Sequence, residues 1–465
     1  MLPASDVRRN APPRLPWRAF HASALLFAAA LDGATARAEV APAKAFPGAE
    51  GCGETATGGR GGRVIKISSL ADDGPGSLRA AIESEGARII AFDVAGVIDL
   101  EAPLVIRHGD ITIAGQSSPG GVTLRGYGLT IDADNVVVRY LRSRPGPQSG
   151  AELDAVSVAG GSRIILDHVS ASWSVDETLS VSQTRSQDHP FLDNVTVQWS
   201  IISEALDKSV HSKGAHGYGS LVRGHSGACF SFHHNLWAHH RARMPRPGNF
   251  VGAKDDPTGP SIQFWNNVFY NWGGEFSGYN ADTAAISRYD FMNNWYVRGP
   301  DSEASYAFRE ECAACQSHFS GNVMDGETPA EQRSLLLCKA ESCDFRGAPV
   351  AGSPPPAHPV LKAYRSVLAG AGAAVDRDQI DARIVEEVKS GKGGVIDHPS
   401  ERGGWVSPPL RSPLTDTDSD GMPDVWENAR GLNASNPADA NGDDDGNGYT
   451  NVEDYLNEAA VQSVF

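Results

Sequence analysis

Seven side chains between Asp154 and Arg246 form a set with a definite chemistry. Three carboxylates, Asp154, Asp176 and Glu177, offer the hard oxygen ligands that Ca2+ takes. Four cations, Lys208, Lys213, Arg243 and Arg246, can contact carboxylates on a polyanion, the two guanidinium groups with a planar two-point grip. Cleavage of a uronate polymer by β-elimination needs a cation on the C6 carboxylate to acidify the C5 proton, a base to remove it, and groups that hold the chain. The set contains candidates for each.

Those residues need a scaffold that brings them into line. Asp176, Lys208 and Arg243 each lie eleven positions after the anchor of a recurring strand pattern, the anchors being Ile165, Val197 and Phe232. The pattern continues as Phe264-Trp265-Asn266-Asn267, Phe291-Met292-Asn293-Asn294 and Phe319-Ser320-Gly321-Asn322. Self-similarity at a period of roughly 27 to 35 residues marks a solenoid in which each turn adds one strand to a continuous sheet. The expected fold is an all-β solenoid with turns about 4.8 Å apart and the charged groups along one groove. Asn235, Asn267, Asn294 and Asn322 are expected to stack as an amide ladder inside one bend. Asp167 and His168 are read as a hydrogen-bonded structural pair. The run of His233, His234, His239 and His240 is not read as zinc-binding, because adjacent strand residues point to opposite faces.

Ser77 has the character of an N-cap for a short helix over 78–83, placed to cover the open edge of the first turn. Early strands are expected at 89–92, 111–114 and 136–140, and helices docked on the solenoid at 360–368 and 379–389. The domain plan is 39–345 for the solenoid, 346–410 for a helical capping segment and 411–465 for a small calcium module.

That last segment carries the sharpest local motif. Asp416, Asp418, Asp420, Asp424 and Glu427 occupy positions 1, 3, 5, 9 and 12 of an EF-hand-like loop, with Gly421 at position 6. A second copy runs through Asp443, Asp445, Asn447, Gly448 and Asp454, with Asp in place of the usual Glu at position 12. Ca2+ is therefore the expected cofactor, with a role in folding the C-terminus.

Four arginines, Arg8, Arg9, Arg14 and Arg18, precede an apolar run over 19–30, and Ala36-Arg37-Ala38 is a small-x-small cleavage signal. Residues 1–38 read as a secretory signal peptide, which places the chain in the extracellular space or periplasm. The formal net charge is −17, and removing those residues, with five Arg and two Asp, leaves −20. Such a charge argues against nucleic acid, and no segment is long and apolar enough to be read as a membrane span. Of six cysteines, Cys312, Cys315, Cys338 and Cys343 crowd one stretch and are expected to form two disulfides, although their spacing also permits tetrahedral zinc. Cys52 and Cys229, far apart in sequence, read as buried thiols.

Around these residues the chain resembles the pectate lyases of polysaccharide lyase family one, over about residues 44–345. Leu153-Asp154-Ala155 and Val175-Asp176-Glu177-Thr178-Leu179-Ser180 resemble the family's two acidic calcium segments. Ile165-Leu166-Asp167-His168 resembles its Trp-Ile-Asp-His stretch, and Phe232-His233-His234-Asn235 with Arg243-Met244-Pro245-Arg246 its histidine-asparagine strand and Arg-x-Pro-Arg element. The resemblance implies a right-handed parallel β-helix, a polygalacturonate substrate bound by a monomer, and Arg243 as the base. Ser180 stands where the family usually has another calcium-binding aspartate, and Gly248 where a second arginine often lies. The competing readings are a pectin lyase or glycosidase on the same fold, the latter drawing on Asp154, Asp176 and Glu177 as its carboxylates, and a non-catalytic carbohydrate-binding solenoid.

Overall fold

The computed structural model describes residues 43–183, 189–352, 358–409 and 411–461. The signal-peptide reading of residues 1–38 lies outside them. Pro42–Phe465 forms one compact unit.

Among the described residues the unit is a parallel β-helix whose strands distribute into three long sheets of eleven, nine and six strands, with a three-stranded sheet at the C-terminal end of the coil. The inward-facing positions stack turn upon turn. Ile65, Ile90, Ile113, Val138, Leu166, Val197, Phe232, Phe264, Phe291 and Phe319 pair in that order across the eleven-stranded sheet. Branched aliphatic side chains fill the first turns and aromatic rings the later ones. Phe264 and Phe291 stack at 4.9 Å, and Phe291 and Phe319 at 4.8 Å.

This ladder moves one expected anchor. Leu166, not Ile165, pairs with Val197; Ile165 points outward and packs with Phe46, Ala49, Ala56 and Val137. A shift of one residue turns a strand side chain to the opposite face, so the matched offset of eleven from this turn falls on Glu177 rather than Asp176.

Helix Leu78–Glu83 forms where Ser77 starts it, the Ser77 hydroxyl accepting from the Ala80 N–H, and it buries Leu78, Ala81 and Ile82 in the core of the coil. Helices Val360–Gly370 and Gln379–Ser390 dock through Val367, Leu368, Ile384, Val385 and Val388 onto Ile201, Leu236, Ala238, Val268 and Tyr270. The asparagine ladder is complete. Each side-chain oxygen of Asn267, Asn294 and Asn322 accepts the backbone N–H and side-chain amide of the preceding rung, and Gln332 closes the series.

The cysteines pair differently from expectation. Cys52 and Cys229, 177 residues apart, form a disulfide that ties the N-terminal segment to the coil. The fold brings them together because residues 46–59 lie along the outside of the eleven-stranded sheet, where Gly53 N–H donates to Thr196 Oγ1 and Gly59 N–H to Thr112 Oγ1. Cys338 and Cys343 form a second disulfide, while Cys312 and Cys315 are buried free thiols.

Candidate active site

The six-stranded sheet positions the charged set. Its strands Val156–Gly160, Leu179–Ser182, Leu221–Arg223 and Arg246–Gly248 lie side by side and parallel, so the segments that enter them share one edge. Asp154 enters the first, Asp176 and Glu177 the second, Tyr218 the third and Arg243 the fourth. The backbone locks this order: Ala155 N–H donates to Glu177 O, Thr178 N–H to Tyr218 O, and Ser220 N–H to Arg243 O.

Oxygens of Asp154, Asp176 and Glu177 converge within 4.8 Å of one another. Oδ1 of Asp176 and Oε1 of Glu177 are buried and accept no aligned hydrogen bond, although His216 Nε2 stands 2.8 Å from the former and the Arg243 guanidinium pairs with the latter. Oxygens of three carboxylates, two of them buried without an aligned hydrogen bond, suit a hard cation such as Ca2+. Burial, reinforced by the neighbouring Asp176 carboxylate, pushes the Asp154 carboxyl up to about 8, while hydrogen bonds from Ser180 and Ser157 pull the other way. Ser180 thus serves Asp154 instead of adding a fourth carboxylate.

Arg243 lies over the Tyr218 ring at 4.0 Å, with its Nε 3.4 Å from the Tyr279 hydroxyl. Burial lowers its pKa from the ordinary arginine value and the Arg246 charge adds to the effect, against the pull of Tyr279 and Asp176. Arg246 is held by Asp282, 3.2 Å from its guanidinium, and Asp282 also pairs with Arg223 at 2.6 Å. Gly248 belongs to this arrangement, because a Cβ there would meet Asp282 Oδ2 at 2.1 Å. The arginine expected at that position is replaced by room for the Asp282 carboxylate.

Lys208 does not join the line. The segments entering the second and fourth strands hold six and five residues, 173–178 and 241–245, but the one between holds seventeen, 204–220. Equal offsets therefore stop meaning equal positions, and Tyr218 takes the aligned place between Glu177 and Ala242. Lys208 is exposed, its N–H donating to Asp397 Oδ1. Lys213 is exposed on the same loop, which folds back onto the carboxylates: Ser212 N–H donates to Glu152 Oε1, and His211 Nε2 lies 3.3 Å from Glu152.

Sequence reasoning passed over Tyr218, Tyr279, Asp282, His211 and His216. The only signal was the density of histidine and glycine in His211-Ser212-Lys213-Gly214-Ala215-His216-Gly217, which reads as a turn.

Of the C-terminal loops, the first gathers its carboxylates and the second does not. Oxygens of Asp416, Asp418 and Asp420 converge, as do those of Asp420, Glu427 and Asp439, a ligand outside the motif. Both oxygens of Asp418 and of Glu427 are buried without partners, and burial with mutual repulsion lifts Asp420 and Glu427 to about 7. This set fits a cation. Asp424 instead accepts from Thr417 N–H and hydroxyl. In the second loop Asn447 Nδ2 donates to Asp445 and Asp454, Gly448 N–H donates to Asp443, and the three carboxylates do not converge.

No family model matches the chain. It is 33% identical over 427 residues to a probable pectate lyase C of Aspergillus fumigatus, covering 89% of this chain and 93% of the relative. It is 34% identical over 429 residues to a probable pectate lyase C of Aspergillus flavus, covering 90% and 94%. A pectate lyase variant of Bacillus subtilis superposes with a TM-score of 0.50 at 15% identity, over 70% of this chain and 96% of that one. The cedar pollen allergen jun a 1 does so with a TM-score of 0.50 at 16% identity, over 69% and 92%. The β-helix fold together with relatives at this identity and coverage sets the class of the chain as a polysaccharide lyase. The chain belongs to the pectate lyase family.

Proposed function

We propose that this protein is a secreted enzyme that cleaves de-esterified homogalacturonan by calcium-assisted β-elimination. The observation that carries the reading is the convergence of Asp154, Asp176 and Glu177 beside Arg243. These carboxylates would hold Ca2+, which when bound supplies charge that acidifies the proton α to a uronate carboxylate. Arg243 takes that proton. Desolvation and the Arg246 charge favour its neutral form, and Tyr218 fixes its plane. Arg246, set by Asp282, contacts a substrate carboxylate, and Lys213 reaches the chain from the loop that carries His216. The Glu177–Arg243 pair exchanges for substrate contacts on binding. The loop at Asp416–Glu427 serves stability through a second Ca2+, and the protein acts as a monomer.

Two disulfides suit an exported chain, and among the described residues no helix is long and apolar enough to cross a membrane. The test is incubation with polygalacturonate, with and without a chelator, followed in the ultraviolet. Unsaturated ends that appear only with Ca2+ are expected. Saturated reducing ends would mean hydrolysis by the carboxylates, and no product would mean binding without cleavage.

A further inference from the structure

The Cys312-Ala313-Ala314-Cys315 turn takes part in neither disulfide and lies outside the groove set. Both sulfurs are buried beside Glu310, itself 1% exposed, and a Glu310 carboxylate oxygen and the two sulfurs lie within 4.8 Å of one another. The two oxygens of Glu310 are treated unequally. Oε1 accepts from Asn280 Nδ2 at 3.0 Å and from Cys312 N–H at 2.8 Å, whereas Oε2 is buried with no hydrogen-bond partner. A carboxylate oxygen left bare in the interior is costly unless something positive completes it.

Both thiol S–H groups point at the Ala285 carbonyl oxygen. Asn280 Nδ2 points at Cys315 Sγ at 3.3 Å. A Cys-x-x-Cys segment can present two sulfurs to one ion. The Ala285 carbonyl oxygen stands 3.2 Å from one sulfur and 3.5 Å from the other. Bonds of about 2.3 Å to sulfur and about 2.0 Å to oxygen give a tetrahedral edge of about 3.5 Å.

We propose that Cys312, Cys315 and Glu310, with the Ala285 carbonyl in the fourth position, form a structural zinc site. Two thiolates select zinc over the calcium suited to the all-oxygen groove cluster. The site also has work to do in the fold. Asn280, which holds both Glu310 and Cys315, accepts the Asp282 N–H through its Oδ1 at 2.9 Å, and Asp282 holds Arg223 and Arg246. A metal joining 280–285 to 310–315 would brace the cationic end of the groove from beneath.

The test is the metal content of the full chain produced with zinc in the medium and purified without chelator. Elemental analysis should find about one zinc per chain, and absorption at the zinc K edge should show two sulfur neighbours at about 2.3 Å and oxygen neighbours at about 2.0 Å. Cys315→Ser and Glu310→Gln should each lose the zinc while leaving the Cys338–Cys343 disulfide in place. Should those variants fail to fold, stripping the parent with a zinc chelator and titrating zinc back reads the site directly. A Cys312–Cys315 disulfide in the peptide map, or two free thiols that take up no added zinc, would overturn the assignment. So would zinc that is lost in Cys338→Ser but retained in Cys315→Ser, which would place the ion on other cysteines.

Discussion

Two lines of polar side chains run along the same coil and are finished in opposite ways. In the bend after the eleven-stranded sheet, Asn235, Asn267, Asn294 and Asn322 are buried and hydrogen-bonded rung to rung. At the edge of the six-stranded sheet, Asp154, Asp176, Glu177 and Arg243 are also largely hidden, yet Asp176 Oδ1 and Glu177 Oε1 lack aligned partners. The first line satisfies itself and can serve stability alone. The second is left to His216 and Arg243, and on the function proposed above a cation and an anionic chain would complete it.

The contrast breaks most sharply at Arg243. Arg243→Lys keeps the charge but loses the fork, so turnover on polygalacturonate should fall about 100- to 10,000-fold, as for loss of a general base, while the melting temperature moves little. Steady-state kinetics and melting on one preparation decide it; turnover within a few-fold of the parent would remove Arg243 from the chemistry.

Asp167 should behave in the reverse way. It is fully buried, 2.9 Å from Arg139 Nε and 2.8 Å from both His168 Nδ1 and Gln198 Nε2. Burial alone would raise its pKa, but His168 and Arg139 outweigh burial and hold it well below the carboxylate range. Its stabilising contribution is therefore present above about pH 4 and lost as pH falls through the depressed folded value. Asp167→Asn strands the Arg139 charge and should cost about 3–5 kcal/mol at neutral pH. Urea unfolding should show that deficit shrinking toward pH 2, with unchanged turnover per folded molecule.

The C-terminal loop extends the comparison to a second set of bare carboxylates. Calcium at 100 times its dissociation constant should stabilise the chain by about 2.7 kcal/mol through this loop. Asp420→Asn should remove most of that increment in calcium-dependent melting without abolishing lyase activity. A variant that melts like the parent but no longer turns over would reverse the division of roles. In the asparagine ladder, Asn267→Ala should cost about 1–3 kcal/mol for each donor or acceptor left bare, again with turnover intact.

The smallest effect separates two lysines. Lys208→Ala should change kcat/KM by less than about twofold, since an exposed charge away from the groove contributes little. Lys213→Ala should raise KM by more than that. Equal effects would show that the 204–220 loop rearranges when substrate binds.

What the sequence determined by itself is whatever repeats or is local. The Phe-x-Asn-Asn pattern specified both the inward ladder and the amide ladder, because each turn must bury the same faces as the last. Ser77 and the grouping of Asp416, Asp418, Asp420 and Glu427 were legible because a cap and a cluster of carboxylates each rest on short fixed spacing. Arg243 and the carboxylate segments lie close together because short connections keep the offset between strand and groove to within a residue. Only the tertiary structure decided the rest. A seventeen-residue connection carried Lys208 away and put Tyr218 in its place; a one-residue change of register moved the matched position from Asp176 to Glu177. The Cys52–Cys229 bond, the Asp282 grip on two arginines and the entry of Asp439 into the C-terminal carboxylate cluster join residues whose proximity no local spacing encodes. Stacking sets which residues recur on a face, whereas loop length and long-range docking set which of them meet.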